Sequence, residues 1–194
     1  SVAAQVARLK AAQPDVIFAW TTGPAVGTIF QGLNQIGLDV PVASSYGNMI
    51  YSAMDSWAAF LPKELDFPAT PWSGNAGSPG LDPRVRTSLR DIHAAFDAAG
   101  EKVDAGAATS WDALMITAAV MRKIGPNASA DRFRDALQHL RSFGGINGVY
   151  DFTRNPQRGI GEQSAIVARW TPAQREWEIV SKSSGIPIES NARR

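Results

Sequence analysis

The sequence predicts an α/β fold built on a mostly parallel sheet, and three features predict it. Residues 16–20 form an unbroken apolar run of strand length, without the alternation of a half-exposed strand. Val26, Ile29, Phe30, Leu33 and Ile36 then mark one helical face, and a second short strand with Val40, Val42 and Ala43 follows at once. Strand, helix and strand in that order make a βαβ unit with a right-handed crossover.

The elements follow in order. Val2, Val6 and Leu9 have helical spacing with Arg8 and Lys10 off the stripe, and Gln13, Pro14 and Asp15 end that helix. The run at 16–20 reads as a strand covered on both faces, with Trp20 in the core. Pro24 suits a first helical position, Gly37 stops the helix, and Pro41 places the next strand near a start or an edge. A helix is expected over 49–60. Residues 67–72 read as a short extended segment interrupted by Pro68 and Pro71, and 73–83 as a glycine- and proline-rich loop. Composition changes there, so a lobe boundary falls near Pro71.

Val85, Leu89, Ile92 and Phe96 form the next helical stripe, closed by Gly100. Thr109 or Ser110 is expected to cap a helix running to Ile124, which carries no charge between Asp112 and Arg122 and is therefore expected to be buried. Ser129 caps a third helix striped by Phe133, Ala136, Leu137 and Leu140. A strand at 148–152, a turn at 155–159 and a hairpin of 164–170 with 177–180 complete the reading. Trp111 and Trp170 are expected in the core, and the polar end after Gly185 is expected to be loose. The first residues already have helical spacing and no basic segment before an apolar one, which is the expectation for a fragment rather than for a leader.

Composition narrows the function. The 19 basic and 18 acidic residues leave a net charge of +1, which gives no footprint for nucleic acid or an anionic membrane. With no cysteine, disulfides, thiolate metal sites and cysteine nucleophiles are excluded. No G-x-S-x-G elbow, phosphate loop or metal-ligand spacing occurs, so no catalytic residue, metal or cofactor is expected. His93 and His139 lie off their helical stripes and read as solvated; Asp112 reads as a capping or dipole residue. The glycines at 144, 145 and 148 precede a strand, the wrong order for a phosphate cradle.

Binding is better supplied. Ligands of open parallel sheets sit outside the carboxyl ends of the strands. Two such ends are legible: Thr21, Thr22 and Gly23, then Ser44, Ser45, Tyr46, Gly47 and Asn48, of which Ser45, Tyr46 and Gly47 are the expected contacts. Hydroxyls and helix N-terminal N–H groups suit a carboxylate, and Tyr46 adds a flat wall with a phenol. Ordinary turns and caps favour the same residue types. Trp72, at the lobe boundary, either faces a ligand or packs under the loop.

Several segments together resemble a known family. LKAAQPDVI at 9–17, FQGLNQIGL at 30–38, SWDALM at 110–115, GVYDF at 148–152 with Arg158 and Gly159, and IVARW at 166–170 are similar, in order and spacing, to type I periplasmic solute-binding proteins of the branched-chain amino-acid (Leu/Ile/Val) group. The resemblance is to the carboxyl-terminal half only. It implies Rossmann-like lobes: residues 1–70 in the carboxyl-terminal lobe, 71–163 completing the amino-terminal lobe, and 164–194 returning and ending in the tail. It also implies a non-enzymatic, extracytoplasmic receptor of an ABC importer that closes about a hinge over a small carboxylate. Its partners would be a membrane permease and the missing amino-terminal half; without that half, a swapped dimer is expected. In amino-acid-binding members an acidic residue pairs with the ligand ammonium, and Tyr46 stands at that position here. That departure points to an aromatic acid, with Tyr46 and Trp72 as its wall. A cytoplasmic sensor on the same fold and a hydrolase-like fragment remain the alternatives.

Overall fold

The structure, a computed structural model, describes residues 2–188; of the end after Gly185 expected to be loose, 189–194 lie outside them, while Pro187 is bridged to Ser181 and Ile186 O accepts from Lys182 N. Helix α1 spans Val2–Ala12, strand β1 Ile17–Ala19, α2 Pro24–Gln35, β2 Val42–Ser44, α3 Tyr51–Trp57 and β3 Leu65–Ala69. Then come α4 at Pro83–Ala98, α5 at Ala105–Ile124, α6 at Ala130–Gln138, the short strands β4 (Phe143–Gly144) and β5 (Val149–Tyr150), β6 at Ile166–Thr171 and β7 at Glu176–Ile179. The main sheet has the order β1-β2-β3-β6-β7. β1, β2 and β3 are parallel, and β6 and β7 join antiparallel. The sheet therefore draws on 17–69 and 166–179, while the intervening residues supply α4, α5, α6 and the small β4–β5 sheet.

Local chemistry explains these elements. Pro24 starts α2, and Val26, Phe30 and Leu33 bury its stripe. Trp57 of α3 lies edge-on to Phe30 with ring centroids 5.7 Å apart. It also lies over Gly27, where a Cβ would come within 2.4 Å of the indole nitrogen, so only glycine lets the two helices approach this closely. Pro68 sits inside β3, in register with Val167, where an interruption was expected. β2 reaches only Leu65 and Asp66, so by Pro68 the strand has one neighbour, as at a sheet edge, and proline is tolerated.

The structure corrects four further expectations. The run at 16–20 is covered on one face only: Ile17 and Ala19 are buried, whereas Phe18 is 71% and Trp20 65% exposed. β1 is an edge strand, and its second face has no cover among the described residues. α5 begins at Ala105, because Asp104 accepts hydrogen bonds from Gly106 N and Ala107 N and caps it there. Thr109 and Ser110 instead donate back to the carbonyls of Ala105 and Gly106 inside the helix. Nor is α5 buried all round, since Leu114 is 63% exposed. The helix expected over 49–60 is a 3₁₀ turn at Tyr46–Asn48 followed by the shorter α3.

The largest correction concerns Asp112, which is no cap. It lies well inside α5, is 2% exposed, and its carboxylate accepts four hydrogen bonds. The donors are Ile146 N (2.8 Å), Asn147 N, Asn147 Nδ2 and Tyr150 Oη (each 2.9 Å). The glycine-rich loop before β5 thus wraps a side-chain carboxylate of its own chain. Gly145 makes the fit possible, since a Cβ there would stand 2.4 Å from Asp112 Oδ2. The main core runs from the sheet through Trp72, Trp170 and Trp177 into α4 and the start of α5. A smaller cluster joins Ile116, Val120 and Tyr150 to α6; Trp111 is half-buried against the main core.

Removing the Asp112 carboxylate orphans buried donors, each worth about 1–3 kcal/mol. Asp112→Ala should therefore lower unfolding free energy by at least about 3 kcal/mol in a urea titration, and Tyr150→Phe by about 1 kcal/mol. Equal small losses for both would contradict this placement.

Candidate functional site

The carboxyl ends of β1 and β2 lie side by side because the strands are parallel neighbours, with Ala19 in register with Ser44. The loops leaving them carry the expected residues. A Cβ on Gly47 would lie 3.2 Å from Thr22 Cγ2, which places the two loops in contact. Thr22 and Gly47 are exposed; Thr21, Gly23, Ser45 and Tyr46 are partly buried. Gly23 has φ +67°, a left-handed conformation that glycine adopts without strain, and it directs the chain into α2.

One residue holds the two loops together; the sequence places it in the second strand end but gives it no role of its own. The buried Asn48 accepts from Gly23 N (3.1 Å) and donates to Thr21 O (2.7 Å) and Ser44 Oγ (3.0 Å). Ser44 Oγ in turn donates to Ala19 O at 3.2 Å. The neighbouring Met49 O accepts from Ala105 N, the first residue of α5, at 3.0 Å. The signal available in the sequence was an amide at the end of a hydroxyl-rich post-strand loop, a type that competes well for backbone partners.

Tyr46 faces the start of α5 and the segment after β3. Its ring meets Trp72 edge-on at 6.0 Å. Trp72 is 2% exposed and stands behind Tyr46 in this conformation. It continues into Trp177, Tyr51 and Trp170, whose rings lie 4.5–6.2 Å from their neighbours. Burial raises the Tyr46 pKa, and the charges of Asp104 and Asp112 reinforce it. Asp112 is committed to the loop around it, and Asp104 caps α5 through its Oδ1. The phenol is therefore a neutral hydrogen-bonding group on an aromatic wall.

Hollows lie beside this region and along the crossing that follows β3. A wide one of about 1050 Å³ lies between Ala69, Thr70 and residues 154–165, with Arg154 and Arg158 on its rim. One of about 290 Å³ is lined by Thr109, Asp112, Tyr150 and Arg158 among others. A small one of about 120 Å³ is lined by Tyr51, Trp72, His93 and Trp177. Among the described residues, the buried Trp72 Nε1, Trp177 Nε1 and His93 Nε2 find no hydrogen-bond partner. His93, expected in solvent, is thus half-buried with its Nε2 shut away, whereas His139 is exposed. Among the described residues no group of His, Asp and Glu is arranged to hold a metal ion, and no helix is long and apolar enough to cross a membrane.

All three tyrosines, 46, 51 and 150, have raised pKa values, burial being the first cause of each. Tyr51 is pushed up to about 12, with Glu176 reinforcing burial. The fold holds these protons longer than the unfolded chain, so stability is unaffected below pH 10 and falls as pH rises from 10 towards 12. An absorbance titration at the phenolate band should stay flat past the ordinary tyrosine value and then rise together with loss of the circular-dichroism signal. Ordinary titration in an intact fold would contradict it.

Residues 1–175 match the family described as periplasmic binding protein. Solved structures share the fold. A protein of Rhodopseudomonas palustris strain CGA009 is 21% identical with a TM-score of 0.73, over 93% of this chain and 52% of its own. An extracellular ligand-binding receptor from Rhodopseudomonas palustris HaA2 is 18% identical with a TM-score of 0.75, over 92% and 51%. The leucine binding protein LivK of Thermotoga maritima is 16% identical with a TM-score of 0.71, over 92% and 47%. The chain spans about half the length of each of these structures. No match to the chain was found among curated proteins.

Proposed function

Because the chain belongs to the periplasmic binding protein family, whose members are solute-binding receptors and not enzymes, we propose that it is the carboxyl-terminal half of an extracytoplasmic receptor of an ABC importer. In this reading residues 1–70 and 164 onward form one lobe, and residues 71–163 belong to the other, whose sheet the remaining half supplies. A small carboxylate lies between the lobes, and closure brings both to it. Ligand shifts the balance towards closure because only the closed form lets both lobes touch it. A membrane permease then reads the closed form.

The observation that carries this reading is the meeting of two strand-end loops with the segment that leaves the sheet. Thr21, Thr22, Gly23, Ser45, Tyr46 and Gly47 gather at the carboxyl ends of β1 and β2, and Tyr46 faces Thr109 and Trp72 across the crossover. Parallel sheets bind ligands at that edge.

The ligand's own charge follows from the acids nearby. An ammonium held in a closed cleft needs a counter-charge. Asp104 and Asp112, the acids whose charge reaches Tyr46, already accept backbone N–H groups. Tyr46 and its aromatic backing offer a ring edge, a ring face and a neutral phenol instead. The reading therefore favours an aromatic carboxylate without an amine over leucine, isoleucine or valine. Micromolar binding corresponds to about −8 kcal/mol, within reach of one buried aromatic ring and a few hydrogen bonds.

Isothermal titration of the two-lobed protein with benzoate, phenylacetate and 3-phenylpropanoate, beside leucine and isoleucine, tests this. An aromatic acid is expected to bind at micromolar concentration and leucine not to bind. Tyr46→Glu should weaken the acid at least about tenfold by placing a like charge beside it. Leucine binding without aromatic-acid binding would overturn the ligand reading, and binding of none would overturn the receptor reading.

A further inference from the structure

The two chain crossings described by residues 69–70 and 164–166 leave the sheet together. Ala69 ends β3 and stands in register with Ile166, the first residue of β6. One residue beyond Ala69, Thr70 Oγ1 donates to Asn147 Oδ1 at 2.6 Å. Two residues before Ile166, the buried Ser164 packs on Gly148, where a Cβ would stand 2.3 Å from Ser164 Oγ. Gly148 also has φ +148°, which disfavours any side chain there. Both crossings are thus gripped by one short loop, residues 145–148, within one or two residues of leaving the sheet.

That loop has no freedom of its own. Gly145 N donates to Gly148 O at 2.9 Å, closing it on itself. The Asp112 carboxylate takes the N–H groups of both Ile146 and Asn147. The amide of Asn147 is fixed in one sense: its nitrogen donates to Ala108 O (3.0 Å) and to Asp112 Oδ2 (2.9 Å), two acceptors, which leaves its oxygen to accept from Thr70. Asn147 is buried, so water does not compete for these bonds.

We propose that Asn147, held by Asp112, is a positioning residue that clamps the Thr70 crossing to the helical lobe and confines bending to the steps Ala69–Thr70 and 164–166. The inference rests on the two-lobed reading above. It gives that reading a mechanical basis: the lobes turn about a short axis at the Ala69–Ile166 pair. Without the clamp, bending spreads into the 3₁₀ turn Pro71–Ser73 that carries Trp72, and the orientation of one lobe relative to the other becomes broad.

The chain has no cysteine, so spin labels can be placed at will. Gln31→Cys on α2 and Arg132→Cys on α6 put two exposed labels on opposite sides of the crossings. Pulsed electron–electron resonance on the two-lobed protein, with no solute added, then reads the distance distribution. Thr70→Val keeps the shape and removes the donor; Thr70→Ser keeps the donor. The expected result is one narrow distribution for the parent and for Thr70→Ser, and a broadened one for Thr70→Val and Thr70→Ala, with folded far-ultraviolet spectra throughout. An unchanged distribution in Thr70→Val, or equal broadening in Thr70→Ser, would overturn the clamp. Because no solute is present, failure of the ligand reading leaves this outcome untouched.

Discussion

The buried carboxylate of Asp112 is the constraint on which the helical half of the structure depends. A carboxylate removed from water is costly unless its oxygens are hydrogen-bonded. Here two backbone N–H groups, one amide and one phenol supply those bonds. Satisfying Asp112 fixes the loop 145–148, brings β5 and Tyr150 against α5, and presents Asn147 to the residue that leaves the sheet. The glycines of that loop are explained by the same contact, since neither Gly145 nor Gly148 has room for a side chain.

Asn48 has the corresponding place on the sheet side. It substitutes for water at a backbone N–H and a backbone carbonyl that belong to no strand or helix, and it holds the two strand-end loops to a common position. The two organisers are joined through the start of α5, where Ala105 N donates to Met49 O and Thr109 stands beside Tyr46. Irregular loops are held in one arrangement in this way without helix or sheet hydrogen bonds of their own.

Much of the fold is legible in the sequence because periodicity reports burial. The stripe of α2, the β6–β7 hairpin and the Ser129 cap all follow from local pattern. The failures share a cause in long-range context. An unbroken apolar run does not say whether a second layer exists to cover it, so Phe18 and Trp20 were assigned to a core they do not occupy. A helix without charges looks buried, yet Leu114 is exposed. Neither face is covered among the described residues. Of the site, the strand-end residues were legible because they follow strands directly. The roles of Asn48, Thr109 and Asn147 were not, because their partners lie 25 to 77 residues away or on another element.

Amide hydrogen exchange at Ile146 and Asn147 is the most direct measurement of the central claim. If the Asp112 carboxylate holds the loop, both amides exchange only through global unfolding, as slowly as Val42 N in the sheet ladder to Glu64 O. In Asp112→Asn they become fast while Val42 remains slow. Fast exchange of Ile146 and Asn147 in the unaltered chain, with Val42 slow, would contradict the claim, because the loop would then open without the fold.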